Sequence, residues 1–209
     1  MTTIPGNLQH VRSRIATACQ RAGRGVEEVT LLAVSKTFGA DAVRAAAAAG
    51  QRAFGENYIQ EGVDKIAALR DLGLTWHCIG PIQSNKTRLV AEHFDWVHTV
   101  DRLKIAERLS AQRPADRPPL NVCIQVNIDG GANKSGVAPG DALALARAVA
   151  ALPQLKLRGL MSIPEIAPDF EAARAVHASA RALFDQLNAD GLGLDTLSMG
   201  MSADLEAAV

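Results

Sequence analysis

Short apolar stretches alternate with amphipathic stretches along most of the chain, and this alternation limits the possible folds more than any other feature. The amphipathic stretches carry helical periodicity; over 169–187, for example, apolar residues recur at steps of three and four. Regular alternation of strand and helix predicts an α/β fold in which crossover helices join parallel strands. The seven predicted strands are 30–35, 52–54, 75–80, 95–100, 119–128, 155–163 and 194–199.

An open doubly wound sheet and a closed (β/α)8 barrel both fit this alternation. No GxGxxG motif follows the first strand, which argues against a dinucleotide-binding sheet. A helical segment at 6–22 precedes the first strand and would cover the bottom of a barrel. We therefore predict a single TIM-type (β/α)8 barrel domain over residues 1–209, with an extra N-terminal helix. Because such a barrel has eight strands, the eighth strand is expected to be missing from this sequence.

The charge and hydropathy of the chain argue against two classes of partner. Acidic and basic residues balance at 22 each, and no segment concentrates Lys and Arg, so we expect no nucleic acid partner. Residues 1–20 form a polar amphipathic segment, unlike the apolar core of a signal peptide. No apolar run reaches the ~20 residues that span a bilayer, so we expect no membrane association.

The cysteines indicate the compartment. Cys19, Cys78 and Cys123 are odd in number and widely spaced, and no CxxC pair is present. Two of them, Cys78 and Cys123, lie inside predicted strands. We interpret all three as buried free thiols in a reducing compartment, and the predicted localisation is cytoplasmic.

The first predicted strand ends in a lysine, Lys36, within the stretch TLLAVSKTF (30–38). In barrels of this type the chemistry lies at the C-terminal ends of the strands, where this lysine would stand. A lysine amine attacks a carbonyl only when it is unprotonated, so a nucleophilic Lys36 requires a pocket that desolvates it. The alternative is a lysine whose stem covers the core while its amine reaches water.

Two later stretches near predicted strand ends each have a functional and a structural interpretation. The sequence SMGMS (198–202) is either a phosphate-binding turn or an ordinary turn in which Ser202 is the N-cap of the next helix. The glycine-rich stretch 127–136 contains Lys134, which is either a second amine near the same end of the barrel or part of a solvated loop.

No sequence motif indicates a metal site or a common hydrolase or nucleotide site. The five histidines show no ligand spacing with Cys or carboxylates, and neither GxSxG nor a P-loop is present. His77 alternates with Trp76 and Cys78 on the third strand, so we predict that it points into the barrel as a hydrogen-bonded core residue.

Six motifs, in order along nearly the whole chain, carry a resemblance to a known family. They are AVSKT (33–37), FGENYIQE (54–61), WHCIGPIQSNK (76–86), VNIDGGANKSG (126–136), LRGLMSIP (157–164) and LSMGMSADLEAAV (197–209). Together they resemble the YggS/PROSC family of pyridoxal-phosphate homeostasis proteins. The resemblance implies a barrel like the N-terminal domain of alanine racemase, of fold type III. It also implies pyridoxal 5′-phosphate held as an internal aldimine, with no established catalytic turnover.

The resemblance also implies roles for individual residues. Lys36 matches the lysine that forms the Schiff base, and Lys134 matches a second lysine linked to cofactor transfer. The other matched positions are Asn57, which lines the cofactor pocket, Met161, which lies beside the pyridine ring, and Ser198 and Ser202, which belong to the phosphate cradle. No catalytic residue and no metal ligand is expected. Family members continue into a further strand with more phosphate donors and an arginine facing the pyridine nitrogen, which this sequence does not match.

The predicted function is intracellular buffering or delivery of pyridoxal 5′-phosphate. A racemase of this fold needs a second base, typically a tyrosine from another domain, whereas this chain has one tyrosine, Tyr58, and no residues for a second domain. Apo enzymes that depend on the cofactor are the expected recipients, and a monomer is expected because there is no additional domain. The alternatives are a fold type III amino-acid racemase or decarboxylase and a cofactor-free barrel enzyme for sugar phosphates.

Overall fold

The computed structural model describes residues 3–131 and 135–209. Helices and parallel strands alternate along the chain, as the sequence predicts. The strands are β1 (Ala33–Val34), β2 (Ala53–Glu56), β3 (Thr75–Cys78), β4 (Trp96–Val100), β5 (Leu120–Gln125), β6 (Leu155–Met161) and β7 (Thr196–Ser198). The α-helices are α1 (Ile4–Ala22), α2 (Ala40–Ala48), α3 (Ile59–Ala68), α4 (Thr87–His93), α5 (Leu103–Gln112), α6 (Ala142–Ala150), α7 (Phe170–Ala189) and α8 (Leu205–Ala208).

The strands form one parallel sheet in the order β1-β2-β3-β4-β5-β6-β7. The sheet is curled into a half-barrel. The curl brings the His98 side chain on β4 within 2.6 Å of the Ser198 side chain on β7. This confirms the α/β barrel class and all seven predicted strands. Within the described residues β1 and β7 each pair on one side only, consistent with the predicted absence of the eighth strand.

The core lies between the middle of the sheet and the helices that cover its outer face. Val97 on β4 and Val122 on β5 are completely buried, as are Leu109 on α5 and Val149 on α6. A parallel strand covered on both faces requires such continuous apolar stretches. Each fully buried side chain of this size contributes roughly 1.5–3 kcal/mol to stability relative to an exposed one.

The predicted N-terminal helix is confirmed as α1. Its first turn is capped by Thr3, whose side-chain oxygen accepts a hydrogen bond from the Gly6 amide at 3.2 Å, and it ends at Gly23 in the left-handed conformation (φ 66°). The helix packs against α2 near the start of the sheet and against α8 near its end. Through these contacts α1 links the helices beside the two edge strands.

The prediction that all three thiols are buried and free is confirmed. Burial raises the pKa of Cys78 and of Cys123 to about 12. Along residues 3–131 and 135–209, no helix combines the length and the apolar character needed to cross a membrane. The same part of the chain contains no group of three or more His, Cys, Asp or Glu placed to hold a metal ion.

Candidate functional site

Four of the predicted site residues lie at the same edge of the sheet. Lys36 follows β1, Asn57 follows β2, Met161 ends β6 and Ser198 ends β7. Since all strands are parallel, their C-terminal ends necessarily share one edge. The candidate site is therefore this edge, with the β1–β2 pair at one end of the sheet and the β6–β7 pair at the other.

Lys36 is exposed, as in the alternative of a lysine whose amine reaches water, and it is not held in a pocket that desolvates it. The physical reason is that β1 is an edge strand, and the neighbouring Val34 is itself 47% exposed. No group in the described part of the chain hydrogen-bonds the Lys36 amine. The lysine sits in a turn closed by a hydrogen bond from the Phe38 amide to the Ser35 carbonyl at 3.1 Å. Its amine is thus freely accessible from solvent.

Asn57 follows the neighbouring strand β2, and its backbone lies close to the backbone of Gly80. The Cα register pairs Val34 with Gly55, so the residues that follow these two strands run side by side. A Cβ at Gly80 would lie 2.2 Å from the Asn57 carbonyl oxygen, and only glycine permits this contact. The Asn57 side-chain oxygen Oδ1 is buried and has no partner among the described residues. It is available to a polar ligand.

Met161 and Ser198 are direct Cα partners across β6 and β7. Their close approach depends on Gly159, where a Cβ would lie 1.7 Å from the Thr196 carbonyl oxygen. The next residue, Ser162, is 6% exposed, and its hydroxyl has no partner in the described ranges. A second buried polar atom without a partner is therefore present at the opposite end of the candidate site.

A chain of hydrogen bonds crosses the interior of the half-barrel below this edge. His77 Nδ1 lies 2.9 Å from His98 Nε2, and His98 Nδ1 lies 2.6 Å from the Ser198 hydroxyl. Burial lowers the pKa of His77 to about 3, with a smaller effect from the charge of His98, and burial lowers the pKa of His98 to about 4. Both rings are therefore neutral near pH 7. The prediction that His77 is a hydrogen-bonded core residue is confirmed.

The turn after β7 is held by charged side chains from two other elements. Gly200 adopts φ 85°, which glycine tolerates. The Asp204 carboxylate accepts a hydrogen bond from the Met201 amide at 2.6 Å and lies 3.0 Å from His177 Nε2. Arg14 of α1 donates to the Ser202 carbonyl at 2.9 Å. The Met201 amide is therefore occupied by Asp204 in this arrangement.

The interpretation of Ser202 as a helix N-cap is wrong. Helix α8 begins at Leu205, and the residue before it is Asp204, so Ser202 lies in the preceding turn. Ser202 is exposed there. Asp204 stands next to the helix instead, and its carboxylate accepts from the Met201 amide of the preceding turn.

The sequence prediction for Lys134 falls outside the described residues. The described parts of its loop are anchored on both sides. Asn127 donates to the Gly131 carbonyl at 2.8 Å, and Val126 pairs with Val137 in an isolated parallel bridge.

A buried ion-pair cluster directly behind Lys36 was missed from the sequence. Lys65 on α3 is 5% exposed and reaches Glu56 at 2.8 Å and Glu61 at 2.5 Å. Glu56, at the end of β2, is completely buried. The four-residue spacing from Glu61 to Lys65, with the acid first, is the one local signal that could have indicated part of this cluster.

Comparison with known proteins places the chain in a family. The sequence profile described as "Alanine racemase, N-terminal domain" matches residues 6–208. The "Pyridoxal phosphate homeostasis protein" of Pseudomonas aeruginosa is 63% identical over 209 residues, which cover 100% of this chain and 90% of that protein. The chain belongs to the pyridoxal phosphate homeostasis protein family. The Escherichia coli K12 member of the family is 55% identical over 216 residues, covering 100% of this chain and 91% of the relative.

Solved structures agree with this family assignment. PipY of Synechococcus elongatus, solved without PLP, superposes with a TM-score of 0.82 at 41% identity, covering 94% of this chain and 92% of PipY. The structure described as PipY with PLP bound gives a TM-score of 0.81 at 39% identity, with 95% and 92% of the two chains covered. A Clostridium difficile alanine racemase matches with a TM-score of 0.73 over 95% of this chain and 52% of its own length. At 16% identity, that match shows the shared fold alone.

Proposed function

We propose that this chain binds pyridoxal 5′-phosphate as a Schiff base on Lys36 and buffers or delivers it in the cytoplasm, without catalytic turnover. The observation that carries the proposal is the similarity, over almost the full chain, to PipY solved with PLP bound. The curated relatives point the same way, because they are named as homeostasis proteins. The position of Lys36, just after the C-terminal end of strand β1, supports the proposal.

The residues at the candidate site fit this cofactor. Lys36 supplies an amine that an aldehyde can reach without the desolvating pocket expected from the sequence, and only the unprotonated form of this amine can condense with the aldehyde. The unpartnered oxygens of Asn57 and Ser162 can hydrogen-bond the polar substituents of the ring. Met161, at the end of β6, is a buried apolar residue beside Ser198, and the hydroxyls of Ser198 and Ser202 can donate to a phosphate.

The chemistry that this chain performs on the aldehyde is a reversible condensation. The unprotonated Lys36 amine attacks the carbonyl carbon, a C=N bond forms and one water molecule leaves. Because Lys36 is exposed, water and competing amines can reach that bond, and reversal is correspondingly easy. An exposed lysine therefore suits a protein that has to release the aldehyde.

The chain's own groups are poorly arranged for amino-acid racemisation. Racemisation requires acid–base groups on opposite faces of the substrate. The single tyrosine, Tyr58, is 58% exposed at the start of α3. His77 and His98 are neutral and bonded to each other and to Ser198 below the site. We therefore propose binding without turnover, with apo enzymes that use the cofactor as its recipients and with the protein acting as a monomer.

The test of binding is an absorption spectrum of the purified protein with added pyridoxal 5′-phosphate. A band at about 420 nm is expected for the protonated Schiff base. Borohydride reduction should remove this band and leave the cofactor covalently attached to the peptide that contains Lys36. The variant Lys36→Ala tests whether the band depends on Lys36 and should abolish it. Lys104→Ala, which removes an exposed lysine on α5, is the matched control and should keep it. A band that survives in Lys36→Ala contradicts the proposal.

The enzyme alternative is tested by exchange of the α-hydrogen of amino acids in D2O. The homeostasis protein should exchange no faster than free cofactor at the same concentration. Exchange that is well above this background, and that is lost in Lys36→Ala, would assign the chain to the fold type III racemases or decarboxylases instead. Light scattering on the same sample tests the monomer.

A further inference from the structure

The turn that contains Lys36 has a strained backbone at the next residue, Thr37. Thr37 has φ +67°, in the left-handed region, and it is the only non-glycine residue with positive φ in the described ranges. A β-branched residue adopts this conformation rarely and at a cost of about 1–3 kcal/mol, so its surroundings must impose it. The hydrogen bonds around the turn show what imposes it.

Both peptide units beside Lys36 are attached to one buried cluster. On the N-terminal side, the Ser35 carbonyl accepts from Lys65 Nζ at 2.7 Å, and the Ser35 hydroxyl donates to Glu56 Oε1 at 2.6 Å. On the C-terminal side, the Thr37 amide donates to Glu61 Oε1 at 2.8 Å. The turn is therefore held before and after Lys36 while the lysine itself remains exposed.

Lys65 connects the two sides of this arrangement. Its ammonium group has three protons, and it donates to three acceptors: the Ser35 carbonyl, Glu56 Oε1 and Glu61 Oε1. Removing water from a lysine and a glutamate is costly unless each is paired, and here the pairing joins α3, β2 and the β1 turn. A cluster used only for stability would not need to hold a strained turn.

We propose that Lys65, Glu56 and Glu61 are positioning residues, which fix the Ser35–Thr37 turn so that the Lys36 amine is presented at the candidate site. We call these three residues the clamp. They act on the cofactor only through Lys36, so the inference rests on the proposed function. The clamp residues belong to β2 and α3, so they hold the turn from the side on which β1 is paired.

The test uses Glu61, because its side chain is 33% exposed and its loss leaves the buried Lys65–Glu56 pair intact. Glu61→Ala removes the acceptor for the Thr37 amide, so Thr37 hydrogen exchange should accelerate at least tenfold and the affinity of Lys36 for pyridoxal 5′-phosphate should fall about tenfold. Glu61→Gln keeps an acceptor at this position and should restore affinity to within about threefold of wild type.

The matched control is Asp64→Ala, which removes an exposed carboxylate from the same helix. It should change neither Thr37 exchange nor affinity. If Glu61→Ala binds the cofactor as tightly as Asp64→Ala does, the positioning role is overturned. The same conclusion follows if Glu61→Gln binds the cofactor as weakly as Glu61→Ala does.

Failure of the clamp and failure of the proposed function give different results. If wild-type protein takes up no cofactor on Lys36 by borohydride trapping and peptide mapping, the proposed function fails. The clamp is then judged by the Thr37 amide in the cofactor-free protein. Exchange in Glu61→Ala that is no faster than in wild type would show that Glu61 does not hold the turn.

Discussion

His77 and His98 share a hydrogen bond between ring nitrogens in the interior of the half-barrel, with 2.9 Å between Nδ1 of His77 and Nε2 of His98. One of the two nitrogens must carry a hydrogen and the other a lone pair, so the pair requires at least one neutral ring. His77 also stacks on Trp96, with ring centroids 5.3 Å apart, and both histidines are buried. The pair should therefore make the stability of the fold sensitive to low pH.

The first prediction concerns the dependence of stability on pH. Both histidines have a pKa lowered below the ordinary value of 6.5, to about 3 for His77 and about 4 for His98. The unfolded chain therefore binds protons first as the pH falls. Their contribution to stability is complete above pH 6.5 and is lost as the pH falls from there towards 4 and 3. We expect a loss of about 2 kcal/mol per histidine between pH 7 and pH 5.

Urea unfolding at pH 7 and pH 5 measures this difference. His98→Gln should reduce the difference between the two pH values, because one of the titrating groups is gone. His10→Gln, on the exposed side of α1, is the control and should keep the wild-type difference. Equal pH dependence in wild type and His98→Gln would contradict the explanation.

The second prediction concerns the contact between α1 and α8. Arg14 binds both carboxylate oxygens of Glu206, at 2.6 and 2.7 Å, and the hydrogen bond with Arg14 holds the pKa of Glu206 at about 2. Because both side chains are partly exposed, Arg14→Ala should lower the free energy of unfolding by about 1 kcal/mol or less. The contribution should be present above pH 4.5 and disappear as the pH falls towards 2.

A double-mutant cycle of Arg14→Ala and Glu206→Ala, read by urea unfolding at low and high salt, measures this coupling. The exposed pair Arg174–Glu171 on α7 provides the comparison, and Arg174→Ala should change stability by less than about 0.5 kcal/mol. Additive effects of the two α1–α8 substitutions would show that the ion pair contributes nothing.

The third prediction concerns Lys134 and follows from the family resemblance. Lys134→Ala should keep the absorption band of the cofactor on Lys36, because the amine that binds is unchanged. It should slow release of the cofactor to an apo enzyme, which is followed by the return of that enzyme's activity. Lys104→Ala serves as the control for loss of a lysine elsewhere in the chain, and release at the wild-type rate from Lys134→Ala would remove the transfer role.

The fourth prediction concerns the close approach of β6 and β7. Because a Cβ at position 159 would lie 1.7 Å from the Thr196 carbonyl oxygen, Gly159→Ala must push the strands apart and alter the Met161–Ser198 register. We expect a loss of about 1–3 kcal/mol in the free energy of unfolding. Gly140→Ala, where a Cβ meets nothing within 4 Å, is the control and should be nearly neutral. Equal stability of the two variants would contradict the geometry.

The sequence predicts the fold well because its signals are local. An apolar stretch such as β5 must be buried on both faces, and the three- and four-residue steps of α7 allow only a helix. The placement of Lys36, Asn57, Met161 and Ser198 at one edge follows from the same local signals, because parallel strands align their ends.

The remaining features of the site depend on contacts that are distant in sequence. Lys36 is exposed because β1 is an edge strand of the sheet, and no local sequence pattern shows which strands will lie at the edges. The sequence pattern around Lys65 is that of a solvated lysine on an amphipathic helix. In the structure its amine is instead buried and paired with two carboxylates and a carbonyl. His98 joins His77 to Ser198, a residue 100 positions later, and no spacing rule indicates that contact.

The packing of α1 has a consequence for the order of folding during synthesis. Arg14 and Glu206 are separated by 192 positions, so α1 lacks one of its docking surfaces until α8 has been made. Chains fold from the N-terminus as they emerge, and a contact at this separation is entropically among the slowest to form. The flank of α1 that contacts α8 therefore stays uncovered while all seven strands of the sheet are being made.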